Sequence, residues 1–171
     1  MCAAAAAQPS TLVVSDDGAT VFDARVKVVW SRCVEGMRWN GRMCAGSAQL
    51  VDHAGAIAFA AARRKSDGAD WRLPRVTDLQ RLAVQASGPS SGLDAQLFPQ
   101  APADWHWSGT ANIDTGDVNV YNYGNITQGR TNANANRIAF LHGWAVNLST
   151  GEARGDVTKR TKLPVRLMRA D

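Results

Sequence analysis

The sequence predicts an α+β chain. Two segments carry helical hydrophobic spacing, that spacing disappears beyond about residue 90, and short β-type runs parted by Gly, Asn, Asp and Thr follow. Residues 1–10 read as a flexible tail and residues 11–171 as a single domain. Residues 11–14 and 20–22 are β-prone and flank Ser15-Asp16-Asp17-Gly18, turn chemistry that predicts a hairpin. Residues 25–32 alternate and reach Trp30, a third strand. Residues 47–64 read as the first helix, with Leu50, Ala54, Ile57, Ala58 and Ala61 as its apolar stripe. Arg63, Arg64 and Lys65 suit the negative end of its dipole, and Gly68 stops it. Asp70-Trp71-Arg72-Leu73-Pro74 is extended, because the residue before a proline is pushed out of the α region. A second helix is predicted over 76–85, with Val76, Leu79, Leu82 and Ala83 on one face. The Gly/Pro/Ser run 87–92 ends it. The β-type runs beyond are 107–108, 118–123, 138–141, 144–148 and 163–168.

Composition bounds the function. The chain has 171 residues, 45% hydrophobic and 20% charged, the balance of an ordinary globular domain and too short for a multidomain enzyme. Nineteen Lys and Arg against fifteen Asp and Glu leave +4, well below the density a nucleic-acid partner calls for. A local basic patch for an anionic partner stays open. Six Trp against four Phe and two Tyr favour a loop-rich fold, since Trp needs both a large pocket and a partner for its N–H. No run approaches a membrane span. Cys2, directly after Met1 and before a small-residue stretch, fits a mature lipoprotein whose signal peptide is replaced by Met1; a lipid on Cys2 is then the membrane attachment expected. Cys33 and Cys44 flank a short loop with two glycines. A disulfide there stabilises by about 2–3 kcal/mol and implies an oxidising compartment. Two free buried thiols are the alternative, and a zinc site is disfavoured by too few ligands.

Val28-Val29-Trp30-Ser31-Arg32-Cys33, Gly36, Trp39-Asn40-Gly41, Cys44-Ala45-Gly46, the Ala-rich helix, Asp70-Trp71-Arg72-Leu73-Pro74, Asp78-Leu79, Phe98-Pro99, Trp107-Ser108, Trp144-Ala145-Val146-Asn147, Gly151 and Val165-Arg166-Leu167-Met168-Arg169 stand in an order that resembles one bacterial family. It is the family of the Legionella collagen-like protein C-terminal domain, and the resemblance runs from about residue 26 to the end. It implies a C-type-lectin-like fold, related to the formylglycine-generating enzyme, with two helices on a small twisted antiparallel sheet and a loop-rich C-terminal half. It also implies an exported adhesin, lipoprotein or surface domain that binds sulfated polysaccharide or another surface ligand, and Cys33 and Cys44 as a disulfide pair. Two departures stand out. The family's Thr and Glu after Leu-Pro, a capping box, are here Arg75 and Asp78, which puts helix stability in doubt by about 1 kcal/mol. Residues 112–141 are longer than the usual connection, which makes this inserted segment the expected private functional surface.

No enzyme is expected. The formylglycine reaction needs a C-terminal Cys pair, and no Cys follows Cys44; no HExxH or Gly-x-Ser-x-Gly is present. His53, in the first helix, reads as packed or solvated. His106, between Trp105 and Trp107, reads as exposed on an alternating strand, so Trp105 and His106 are candidate ligand contacts. Trp30, Trp39, Trp71, Trp107 and Trp144 are assigned to the core. Tyr121 and Tyr123 share one side of a strand and form a candidate aromatic platform, with Asn122, Asn125 and Arg130 beside them. Asn is dense across the insertion, which suits turns or hydroxyl recognition and also fits the variable display proteins of diversity-generating retroelements. Residues 112–119 place oxygen ligands near calcium-loop spacing without the EF-hand pattern, and no cofactor is expected. Two basic clusters, Arg63-Arg64-Lys65 and Lys159-Arg160 with Lys162, make an oxyanion site if the fold brings them together. The expected partner is a surface glycan or polyanion; the alternative is a protein partner, with the chain a subunit of a pilus tip or envelope complex.

Overall fold

The computed structural model describes residues 11–89, 92–111 and 141–171. Strands β1 (Leu12–Val14), β2 (Thr20–Asp23) and β3 (Val28–Ser31) lead to a small pair, β4 (Met37–Trp39) and β5 (Cys44–Gly46). Helices α1 (His53–Asp67) and α2 (Val76–Gln85) follow, then β6 (Trp105–Trp107), β7 (His142–Asn147), β8 (Ala153–Thr158) and β9 (Met168–Ala170). The chain is α+β, as its sequence predicts. Among the described residues the sheets are antiparallel: β1-β2-β3-β9, β4-β5 and β6-β7-β8.

The β1–β2 turn forms where Ser15 to Gly18 predict it. Gly18 is required there, since its φ is +73° and a Cβ would come 2.6 Å from the Trp39 indole nitrogen. β4, inside the loop closed by the Cys33–Cys44 disulfide, pairs with β5, which begins at Cys44; the two Cα atoms are 5.6 Å apart. Of the readings open at these cysteines, the structure shows the disulfide.

Alternation along the strands sends successive side chains to two different cores. Trp30, Val146 and Met168 join Val21, Phe98, Leu148 and the α2 residues Leu79 and Leu82. Their neighbours Val29, Ala145 and Leu167 join Trp71, Leu73, Trp107, Val165 and the α1 residues Ala56 and Ala60. The strands thus lie between the two helices, which is why several of them bury both faces. Residues 163–167 differ from the predicted strand. They run extended and buried, with a single bridge from Leu163 to Val51, and ladder pairing begins only at Met168.

α1 keeps its predicted stop at Gly68 but corrects the sequence reading at its start, which is His53, and on its face; it runs to Asp67. Asp52 caps it, accepting from the Gly55 N–H at 2.8 Å, so Leu50 precedes the helix. Gly68 ends it in the left-handed conformation, its N–H returning to the Arg64 carbonyl. The expected stripe of Ala54, Ile57, Ala58 and Ala61 points to solvent, and the buried positions are Ala56 and Ala60. Bulk decides this: against Trp71, Leu73 and Trp107 only a small ridge lets the helix approach. α2 keeps its predicted span, Val76–Gln85, and its face. The missing cap hydroxyl is supplied from elsewhere, by Thr110 Oγ1, which accepts from the Val76 N–H at 2.9 Å. Asp78 still closes its half of the capping box by accepting from the Arg75 N–H at 3.0 Å.

Candidate functional site: a basic groove along the first helix

His53, Ile57, Ala60 and Arg64 succeed one another at i, i+4, i+7 and i+11, so they form one ridge along the length of α1. This ridge is one wall of an open groove of about 300 Å³; Arg72, Leu73, Arg75 and Gly109 form the other. The proline at 74 keeps Arg72 and Leu73 extended, and the extended backbone pairs through Arg72 with Met168. Arg75 stands at the N-cap of α2, where the resemblance puts a Thr, and lines the groove.

The groove is cationic above an apolar floor. Arg64 pairs with Asp70 at 3.7 Å, and Arg72 shares Asp78, at 3.5 Å, with Arg81. Arg75 makes no ion pair among the described residues. The exposed Arg64–Asp70 pair is worth at most about 1 kcal/mol, so an incoming oxyanion displaces it at little cost, whereas Asp78, shared by Arg72 and Arg81, has only 13% of its side chain exposed. Ile57, Ala60 and Leu73 supply the floor. Three planar guanidiniums present bidentate donors matched to sulfate or carboxylate.

His53 lies at one end. Its Nε2 is 3.3 Å from the Ser108 carbonyl, and its ring meets Trp107 edge-on at 5.1 Å. Burial pushes its pKa below the ordinary value of 6.5, and the nearby Lys159 charge adds to this. Lys159 is tied to the same place by backbone: its carbonyl accepts from the His53 N–H, and its own N–H donates to the Leu141 carbonyl.

Of the two predicted basic clusters, Arg64 lines the groove while Lys159 lies beside His53, at the other end of the α1 ridge. Arg63 turns the other way, into a second cleft of about 570 Å³ lined by Cys33, Glu35, Trp39 and Asp67. There it pairs with Glu35 at 3.1 Å and Asp67 at 3.2 Å and stacks 4.4 Å over Trp71. Burial pushes the Glu35 carboxyl up, against the opposing pull of Arg63. Arg63 is thus neutralised within the fold and does not serve the oxyanion site expected of it. Lys65, Arg160 and Lys162 are exposed outside the groove.

His106 is a clear correction. It is fully buried, because β6 is covered on both faces; Trp107 enters one core and His106 points the other way. Its Nδ1 is 2.8 Å from the Asp104 carbonyl, and burial, reinforced by the Arg166 charge, lowers its pKa to about 3. It contacts no ligand from there. Trp105 is half-buried, packed on the second core with Arg154 5.3 Å over its ring, and is likewise not an open platform. Trp30, Trp71 and Trp107 are core residues as expected; Trp39 and Trp144 are only half-buried, Trp39 lying under Arg32 and Trp144 over Gly155. Tyr121, Asn122, Tyr123, Asn125, Arg130, the calcium-like stretch 112–119 and Cys2 lie outside the described residues.

Arg72 and Arg75 are the site residues that sequence reasoning missed. Their signal is two arginines three apart across Leu73-Pro74, legible only once the helix ridge opposite them is known. Among the described residues no group of three His, Cys, Asp or Glu could hold a metal ion, and no helix is long and apolar enough to cross a membrane. No curated protein and no solved structure matches the chain. The family model of the Lcl C-terminal domain matches residues 19–169, which includes the disulfide pair Cys33 and Cys44, both described helices and every groove residue named above, so the chain belongs to the Lcl C-terminal domain family.

Proposed function

We propose that this chain is an exported, non-catalytic binding module with a C-type-lectin-like fold that recognises a polyanionic surface glycan through the α1 groove. The observation that carries this is the trio Arg64, Arg72 and Arg75 around an apolar floor. Guanidinium forks suit sulfate or carboxylate groups, and Ile57 and Leu73 suit the carbon skeleton that bears them. The disulfide supports export, since such bonds persist in oxidising compartments. A heparin column tests the reading. The protein should be retained at low salt and eluted as the Debye length falls from about 10 Å at 0.1 M to about 3 Å at 1 M. An Arg64→Ala, Arg72→Ala, Arg75→Ala variant, checked for folding by circular dichroism, should bind at least tenfold more weakly, while Arg160→Ala, Lys162→Ala should bind as the parent does. Equal retention of the triple variant would remove the groove from the function. The second reading, a protein partner in a surface assembly, is favoured by Leu50, Ile57 and Leu141, each about half exposed; failure of the parent protein to be retained at low salt would select it.

A further inference from the structure

We infer that His53 is a ligand-responsive residue of the groove, and that an oxyanion and a proton bind there together. The inference rests on the polyanion reading above and adds to it a dependence on pH. His53 lines the groove on the same ridge as Arg64, across from Arg72 and Arg75. Among the described residues the groups that face it are Asp52 at the N-cap of α1, Lys159 beyond β8, the Trp107 ring and the Ser108 carbonyl at the end of β6, and Gly143 of β7. Asp70 and Asp78, the other carboxylates near the groove residues, are held by Arg64 and Arg72.

In the empty groove burial and Lys159 disfavour a charged imidazole, and Asp52 and the Ser108 carbonyl only partly offset them. With the Ser108 carbonyl holding Nε2–H, Nδ1 is the atom that takes up the proton. A sulfate between the guanidiniums reverses the sign of the nearest field, so the imidazolium becomes the stable form while the anion is bound. By reciprocity, protonating His53 must tighten the anion.

The chain has three histidines, which makes the test clean. His106 is sealed in the core and charges only near pH 3, so between pH 5.5 and 7.5 a response comes from His53 or His142. A sulfated heparin tetrasaccharide, whose acid groups stay ionised over that range, is titrated calorimetrically at fixed ionic strength in two buffers of different ionisation heat. The parent protein should bind roughly three- to tenfold more tightly at pH 5.5 than at 7.5, with net proton uptake. His53→Gln should lose the pH dependence and the proton uptake, whatever its affinity at pH 7.5; His142→Gln should keep both. Anion binding with no pH dependence, a full slope in His53→Gln, or a slope lost in His142→Gln instead, overturns the proton linkage and leaves the polyanion reading intact. Absence of binding at every pH overturns both.

Discussion

At Arg166 and His106 the core holds two basic side chains beside each other. Arg166 Nη1 donates to the carbonyls of Ser31 and Arg32, at 2.6 and 2.8 Å, and its guanidinium lies 4.7 Å from the Phe98 ring centre. It thereby fastens the extended run before β9 to the end of β3. Burial lowers its pKa only to about 9, so it stays charged at neutral pH and His106 must stay neutral beside it. The unfolded chain protonates His106 near 6.5 and the folded one only near 3, so this contribution is complete above pH 6.5 and is lost as pH falls toward 3. The loss should be on the order of 4 kcal/mol. Urea unfolding of the parent and of His106→Asn over pH 3–7 checks it: the variant should be less stable at pH 7 and show a flatter decline. Parallel declines would show that other groups govern acid sensitivity. The misreading of His106 has the same origin as its chemistry: the pattern Trp-His-Trp looks half-exposed only until both sides of β6 are found to be covered.

Among the elements, α2 shows how a departure from a family pattern is accommodated. Arg75 cannot cap a helix with its side chain, and Thr110, thirty-four residues beyond Val76, supplies the hydroxyl. Thr110→Val should therefore cost about 1 kcal/mol, and Arg75→Thr in the same protein should recover most of that by restoring a local cap. Chemical denaturation of the two variants decides it; no recovery would mean that Thr110 acts through packing rather than as a cap. α2 was legible because leucines and polar residues alternate at helical spacing with clear contrast. α1 was legible as a helix but not as a face, since six of its fifteen residues are alanine and contrast is lost. β8 was missed for a related reason: its side chains alternate between half-buried and exposed, and Ala153, Gly155 and Val157 make a thin stripe. Gly155 is there for Trp144, whose ring a Cβ would approach to 2.7 Å.

For the whole molecule, residues 115–136 are expected to be separable from the groove, since every groove residue named above lies outside them and loop-closure entropy changes slowly with length. Replacing 115–136 by a short Gly-Ser turn should leave the melting transition cooperative, with stability within about 1–2 kcal/mol of the parent. Heparin retention should survive the replacement; its loss would move the site to the segment and its Tyr121 and Tyr123, for which Tyr121→Ala, Tyr123→Ala is the control. By itself the sequence determined the α+β class, the first hairpin, the bounds of α2, the nearness of the two cysteines and the family, because each of these is written in local spacing or in an ordered set of short motifs. Only the tertiary structure decided which side of α1 is buried, that His106 is sealed while His53 faces a groove, that Arg63 is neutralised by Glu35 and Asp67, and that Arg64 meets Arg72 and Arg75. Those outcomes depend on which bulky side chains from distant segments compete for the same space and on which charges end up within reach of one another, and neither quantity has a period along the chain.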